Sequence, residues 1–338
     1  MKKLLVILLV LLMGQAIYGK VVGVLPELMK PTSMSVGDNR LYVSQEATVF
    51  IYDLQTLKFI KKFGKAGQGP GEFAVLPGLP LTVIVRDKDI QVNSANRITF
   101  FTKDGEYIKM IKSKSGTFTL AHQPVGKDNF VAINAFLENE IYYFSVNLYD
   151  AEMNKLKTLA KIKRSGQQTG PIKIFSDTVQ VATFEDKIYL STGQDFIVYT
   201  INIKGDILDT FKMKDYKKVK FEEKHKDMIF EAMEKNPIQR AAVPIIKQRG
   251  VFPEYFPAIL SMFVVDGTIN IVTWEREGEK FKFYLFDTNW KLKDELFIGF
   301  KMESVLAPYP AAFKDGKLYQ VIENDAEEWE LHVTPIKK

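Results

Sequence analysis

Five segments of this chain share one pattern: a strand-like run of aromatic and aliphatic residues ends at a short polar residue, and a polar turn and a second strand-like run follow. The short polar residues are Asp53, Thr102, Asp150, Asn202 and Asp287, at intervals of 49, 48, 52 and 85 residues. Their side chains suit this position because they bond to the backbone two residues on and so start a turn. A period near 50 residues indicates a repeat architecture.

The interval of 85 residues equals one period plus an insertion of about 35 residues, which we place at about residues 216–250. Five apolar residues recur there at helical spacing, with charges between them: Phe221, Met228, Ile229, Ala232 and Met233. The pair Asn236-Pro237 ends this helix, and a second short helix is possible over Ile238–Lys247 despite Pro244. The insertion is therefore predicted to be helical.

Counting strands gives the fold class. Two further strand-like runs precede most of the turns, so that a full unit has about four strands, the size of a propeller blade. The sixth unit ends near Thr334 one strand short, and Lys20–Leu25 is an unassigned strand. We therefore predict an all-β fold, a six-bladed β-propeller over residues 20–338. It is closed by the N-terminal strand and carries the helical insertion between blades four and five. Closure would leave no open edges between the first and last sheets.

The first 19 residues have the pattern of an export signal, with Lys2 and Lys3 before the apolar run Leu4–Met13. That run is too short to span a bilayer comfortably, and no membrane span is expected after cleavage. We expect an exported protein, periplasmic or extracellular. The chain has no cysteine, which excludes disulfides, thiolate metal sites and cysteine nucleophiles. The net charge of +5 is too small to favour nucleic acid.

Residues 69–111 contain one ordered series of motifs: Gly69-Pro70-Gly71-Glu72-Phe73, Pro77, Asn96-Arg97-Ile98, Phe100 and Asp104-Gly105. This series resembles an NHL-type repeat. The other blades lack the Asn-Arg-Ile triplet, and overall the chain is similar to secreted bacterial six-bladed β-propeller proteins related to NHL repeats. The resemblance favours a structural Arg97 that bonds to neighbouring backbone over an arginine that reads a ligand. The glycine-rich stretch Gly64–Phe73 is predicted to be a connector between blades.

No catalytic motif is found, so that enzyme activity is left open and no catalytic residue is assigned. Gly-x-Ser-x-Gly is absent, and the three histidines, His122, His225 and His332, have no metal-binding spacing. We predict no cofactor and assign no metal ligand. A metal over the central channel is not excluded, since some propeller lyases and gluconolactonase-like proteins hold one there.

The insertion leads into a run of aromatic residues spaced by prolines. We assign the binding residues as Phe252, Tyr255 and Phe256 near the channel mouth, with Trp274 and Arg97. The alternative for the aromatic residues is that they seal the joint between the helices and the propeller.

The predicted function is an exported binding or interaction module, because loops from several blades meet on the faces of a propeller. The alternatives are a lyase or lactone hydrolase with a channel metal, and a peptidoglycan- or polysaccharide-associated surface protein. The expected ligand is a protein, a peptide or a glycan. We expect a monomer that does not bind nucleic acid.

Overall fold

The computed structural model describes residues 19–336, apart from 77–78, 114–117, 165–169, 177 and 237–238. The predicted signal peptide, except Gly19, and Pro77 of the NHL-like pattern lie outside these residues. Within them, six antiparallel sheets of four strands follow one another along the chain, and each is a propeller blade. The predicted all-β, six-bladed fold is confirmed.

The strands are numbered in chain order. Blade one consists of β2 (Ser33–Gly37), β3 (Arg40–Gln45), β4 (Thr48–Asp53) and β5 (Phe59–Phe63). Blade two consists of β6 (Thr82–Val85), β7 (Ile90–Ser94), β8 (Arg97–Phe101) and β9 (Tyr107–Lys112). Blade three consists of β10 (Phe118–Val125), β11 (Asn129–Glu138), β12 (Ile141–Tyr149) and β13 (Lys155–Lys163).

Blade four consists of β15 (Val179–Phe184), β16 (Lys187–Thr192), β17 (Ile197–Asn202) and β18 (Ile207–Lys212). Blade five consists of β20 (Ser261–Val265), β21 (Thr268–Glu277), β22 (Lys280–Asp287) and β23 (Leu292–Gly299). Blade six consists of β26 (Ala311–Lys314), β27 (Lys317–Glu323), β28 (Trp329–Pro335) and β1 (Lys20–Val24). Four short strands lie between blades: β14 (Ile172–Lys173), β19 (Gly250–Val251), β24 (Met302–Ser304) and β25 (Ala307–Pro308).

The two ends of the described chain close the ring. Strand β1 pairs antiparallel with β28, from Lys20 opposite Val333 to Val24 opposite Glu330. It supplies the fourth strand of blade six, as the strand count predicted. Leu25, which follows β1, is fully buried and donates its N–H to the Trp329 carbonyl at 2.7 Å.

Apolar clusters between neighbouring blades hold the ring together. The sheets present β-branched and aromatic side chains on both faces, and six clusters fill the six spaces between adjacent blades. The cluster between blades three and four, for example, joins Val131 and Val146 to Ile188 and Leu190. Burial of this apolar surface is the main stabilising term for the fold.

The turns between third and fourth strands have the geometry that the sequence predicts. Asp150 Oδ1 accepts the N–H groups of Glu152 and Asn154 at 3.0 and 2.8 Å. Asn202 Oδ1 accepts in the same way from residues two and four positions on, both at 2.9 Å. Thr102 Oγ1 accepts from Glu106 N–H at 3.1 Å. A short polar residue therefore starts each of these turns by replacing a backbone acceptor.

The insertion between blades four and five contains helix α1 (Glu223–Lys235), a 3₁₀ turn (Arg240–Ala242) and helix α2 (Val243–Arg249). Helix α1 ends at Asn236, as predicted. Helix α2 tolerates Pro244 because the proline lies in its first turn, where no N–H donor is needed. Strand β19 pairs in parallel with β14, which precedes blade four. Among the described residues, no helix is long and apolar enough to cross a membrane.

Candidate functional site

The loops of the disc fall on two faces because successive strands of each blade are antiparallel. Turns between second and third strands lie on the same face as the connections from each fourth strand to the next blade. The helical insertion is one of these connections, and we call its side the insertion face. The turns that contain Asp53, Thr102, Asp150, Asn202 and Asp287 lie on the opposite face.

Blade three projects from the insertion face farther than blade two does. Strands β11 and β12 form nine residue pairs, whereas β7 and β8 form five. The four extra pairs, which comprise residues 135–138 and 141–144, lengthen the hairpin by roughly 13 Å. Strands β21 and β22 of blade five are also long, with ten and eight residues. Two raised hairpins thus stand on either side of blade four.

The insertion covers part of the raised hairpin of blade five, at Trp274. Trp274 of β21 stacks on Phe256, with ring centroids 4.1 Å apart and planes 16° apart. Phe221, before α1, packs against Phe256 at 4.9 Å and stacks on Phe252 at 5.4 Å. Phe175, from the connection before blade four, completes the group at 5.9 Å from Phe256. Three of the predicted binding residues, Phe252, Phe256 and Trp274, therefore lie together in the apolar joint between the insertion and the propeller.

Phe175 adopts a backbone conformation that is rare for a bulky residue. Its φ is 61°, in the left-handed region that glycine and asparagine favour. Its carbonyl accepts a hydrogen bond from the Gln194 side chain of blade four, and its ring contacts Trp274 at 6.1 Å. The packing of the aromatic joint and this hydrogen bond hold the residue in place.

Trp274 differs from the other two tryptophans in its indole N–H group. Trp290 Nε1 donates to Thr200 Oγ1 at 3.0 Å, and Trp329 Nε1 donates to the Met29 carbonyl at 2.9 Å. Trp274 Nε1 is buried and has no acceptor among the described residues. A buried donor without a partner costs about 1–3 kcal/mol of stability. The contacts that hold the Trp274 indole are therefore ring contacts, with Phe256 and Phe175.

The other two predicted binding residues lie apart from this joint or at its edge. Tyr255 is exposed, and Lys218 Nζ lies 5.9 Å from its ring centroid. Arg97 is buried in blade two and donates to the Gly67 carbonyl at 3.4 Å, within the glycine-rich connector between blades one and two. The structure thus places Arg97 against neighbouring backbone and far along the chain from the aromatic joint.

The raised hairpin of blade three carries exposed side chains near its tip. Leu137 and Tyr142 lie opposite each other on the side facing blade four, and more than half of each residue is exposed. On the other side, Phe136 and Tyr143 stack with ring centroids 5.6 Å apart, and Lys161 Nζ lies 4.3 Å from the Tyr143 ring. This hairpin presents exposed apolar and aromatic groups on the insertion face, and we call it the blade-three hairpin.

The sequence contained a signal for the blade-three hairpin that the repeat count did not use. Three aromatic residues, Tyr142, Tyr143 and Phe144, come immediately before the repeat segment that begins at Ser145. The count located turns between third and fourth strands, whereas the hairpin extends at the opposite end of its strands.

Polar side chains of the inner part of the propeller bond to the next blade. Gln91 Nε2 and Asn93 Nδ2 of blade two both donate to the His122 carbonyl of blade three at 3.0 Å. Gln123 of blade three donates to the Val181 carbonyl of blade four at 2.9 Å. Gln180 of blade four donates to the Leu260 carbonyl, just before blade five, at 3.2 Å. These amides satisfy backbone groups at the open edges of first strands, which surround the channel.

The first strands of the six blades, β2, β6, β10, β15, β20 and β26, contain no aspartate or glutamate. Their one histidine, His122, has a buried ring, and burial lowers its pKa to about 4. Across the residues that the structure describes, no group of three or more histidine, aspartate or glutamate side chains is arranged to hold a metal ion. The His122 Nε2 atom is buried and has no hydrogen-bond partner among the described residues.

Two solved structures resemble this chain over nearly its whole length. One is a predicted exported protein of Bacteroides fragilis, with 10% identity, 95% of each chain covered and a TM-score of 0.55. The other is a member of the DUF4221 family from Bacteroides vulgatus, with 12% identity, 94% of this chain and 96% of that chain covered, and a TM-score of 0.50. At identities this low, the likeness shows the fold alone. No family model matches the chain, and no curated protein matches it.

Proposed function

We propose that this chain is an exported binding module that recognises a protein, peptide or glycan on its insertion face. The observation that carries the proposal is the blade-three hairpin, whose Leu137 and Tyr142 side chains are exposed, whereas Trp274 of the raised hairpin of blade five is buried against the insertion. Exposed apolar groups that project together mark interaction sites on soluble proteins. Tyr255 and Lys218 of the insertion belong to the same face, with Lys218 Nζ 5.9 Å from the Tyr255 ring.

Export and the relation to NHL repeats belong to the same proposal. The charged and apolar start of the sequence and the exported character predicted for the Bacteroides fragilis protein support export. The glycine-rich connector and the contact of Arg97 with Gly67 support an NHL-like blade two. The same contact supports a structural role for Arg97 in that connector.

Two variants with matched exposure test the binding surface. Tyr142→Ser changes the blade-three hairpin, and Leu156→Ser changes β13 of the same blade near the opposite face. Tyr142 and Leu156 are each 54% exposed. The labelled protein would be applied to an array of defined oligosaccharides and peptides. We expect Tyr142→Ser to weaken the strongest binding about tenfold or more and Leu156→Ser to leave it unchanged. Equal losses in both variants, or no binding to any probe, would contradict the proposal.

The competing function, a lyase or lactone hydrolase with a metal over the channel, requires convergent metal ligands. The six first strands supply no carboxylate for this purpose, which favours the binding function. Metal analysis of the purified protein would distinguish the two. A stoichiometric metal whose removal by a chelator abolishes turnover of a lactone would support the enzyme instead.

A further inference from the structure

The outer strands of the propeller divide into a basic half and a neutral half. Strands β5, β9 and β13, the outer strands of blades one to three, contain eight lysines and no acidic residue. Strands β18, β23 and β1, the outer strands of blades four to six, contain three lysines and three acidic residues. We call the outer strands of blades one to three the basic arc. Its eight positive charges exceed the net charge of the whole chain, which is +5.

Most charges of the basic arc are not neutralised locally. Lys61 pairs with Glu106 at 2.6 Å, Lys157 pairs with Asp206 at 3.3 Å, and Lys161 pairs with Glu138. The remaining five lysines are exposed and have no carboxylate partner among the described residues: Lys62, Lys109, Lys112, Lys155 and Lys163. Five ammonium groups are therefore available to an external anion.

Protection of exposed strand edges explains the presence of charge but not its sign. Charged side chains on an edge strand prevent pairing with another sheet, and either sign serves. Blades four and five use both signs in their outer strands, with Asp209, Asp294 and Glu295 beside lysines, and the outer strand of blade six has Lys20 alone. The restriction of blades one to three to lysine requires a second cause.

We propose that the basic arc binds an anionic polysaccharide. The site is separate from the insertion face, and the proposal does not depend on the function assigned to that face. The arc follows the convex rim across three consecutive blades, so that an extended flexible polymer contacts all of it, whereas a small anion contacts one lysine. Lysine ammonium groups are hydrated point charges without the rigid fork of arginine, which suits a polymer of repeated carboxylate or sulfate groups.

Exposed apolar side chains between the lysines favour a sugar polymer. Tyr107 and Ile108 precede Lys109 in β9, and Ile60 precedes Lys61 in β5. All three apolar residues are more than 40% exposed. Apolar and aromatic surfaces of this kind pack against the C–H faces of sugar rings while the lysines contact the charged substituents.

The experiment compares two variants that lose the same charge. The arc variant changes Lys62, Lys109, Lys112 and Lys155 to Ser, and the control changes Lys20, Lys212, Lys214 and Lys291 to Ser, all exposed positions. Affinity for a fluorescent alginate oligosaccharide would be measured by anisotropy at several salt concentrations. We expect the arc variant to lose on the order of tenfold or more in affinity, with a smaller salt dependence, and the control to keep the affinity of the unchanged protein.

Three results would overturn the proposal: no binding of alginate at low salt, equal losses in the two variants, or equal affinity for neutral dextran. A single-stranded DNA of the same length and charge serves as the competing macromolecule. Tighter binding of that DNA would assign the arc to nucleic acid instead. Circular dichroism and thermal unfolding of both variants would establish that the fold is unchanged.

Discussion

Two tryptophans of this protein are buried to nearly the same extent but differ in one hydrogen bond. Trp274 and Trp290 are 7% and 8% exposed, and both stack on a phenylalanine, Phe256 and Phe211 respectively. Trp290 donates its N–H to the Thr200 hydroxyl, whereas Trp274 Nε1 has no acceptor among the described residues. The pair therefore separates the contribution of the indole N–H from that of the ring.

We expect Trp274→Phe to lower the free energy of unfolding less than Trp290→Phe does, by about 1 kcal/mol. Both changes lose ring area, but only Trp290→Phe loses a hydrogen bond and leaves Thr200 without its donor, whereas Trp274→Phe removes an unpaired donor. Urea unfolding followed by circular dichroism would measure the difference. A larger loss for Trp274→Phe would mean that its N–H has a partner in solution.

At the scale of single elements, the turn between the third and fourth strands of blades one to five depends on one side chain. In blade five, Asp287 Oδ1 accepts the N–H groups of Asn289 and Lys291 at 2.9 and 3.0 Å. The Lys291 and Asn289 N–H groups lower the pKa of the Asp287 carboxyl. Blade four uses Asn202 in the same place with the same two bonds, so that the turn itself does not require a charge.

We predict that Asp287→Asn changes the dependence of stability on acid but not stability at neutral pH. Because the folded-state pKa is below the unfolded value, the carboxylate stabilises the fold above the unfolded pKa of about 4 and loses this effect as pH falls through the folded pKa. The amide keeps the two acceptor contacts at every pH. Thermal unfolding between pH 2 and 7 should therefore show a shallower acid loss for Asp287→Asn, with Asn202→Ala as a control for loss of the turn. Identical acid profiles for Asp287→Asn and the unchanged protein would contradict this role.

The same element explains why some features were predictable and others were not. Turn chemistry is local, so the positions of Asp53, Asp150 and Asp287 and the missing strand of blade six could be read from the sequence. The length of the blade-three hairpin is set at the other end of its strands, where the aromatic run Ile141–Phe144 carried no turn signal. The basic arc was also not predicted, because lysines spread over three blades form one surface only when β5, β9 and β13 are known to be outermost.

The predicted binding residues show a further limit of sequence reasoning. Phe252 and Phe256 lie close together in the sequence, but a sequence cannot distinguish an aromatic surface from an aromatic joint. The structure places their rings in contact with one another and with Phe221, beneath the helices. The insertion covers these rings, whereas the side chain of Tyr255, at the edge of the joint, is exposed.

At the scale of the whole molecule, one strand determines whether the ring is closed. Without β1, strand β28 would present an unpaired edge, and the cluster between blades six and one would lose Leu25, which is fully buried. An open edge invites pairing with another chain. The stability of all six blades therefore depends on a contact between residues more than 300 positions apart.

Removing this strand should destabilise the entire propeller. We expect a chain starting at Pro26 to unfold at least about 5 °C below a chain starting at Gly19, because it loses both the strand pairing and the buried Leu25. Differential scanning calorimetry would measure the midpoints, and light scattering would detect association of the truncated chain. Addition of a synthetic peptide of residues 20–25 should raise the midpoint again. Equal midpoints for the two chains would show that closure contributes little.

The pairing of β1 with β28 also sets the order of events when the protein is made. A ribosome produces β1 first among the described strands and β28 last, so that Val21, Val22 and Val24 have no partner while the five intervening blades emerge. Completion of the propeller must therefore follow the synthesis of β28. Until then β1 is an unpaired strand, and an unpaired strand of this kind can pair with another chain.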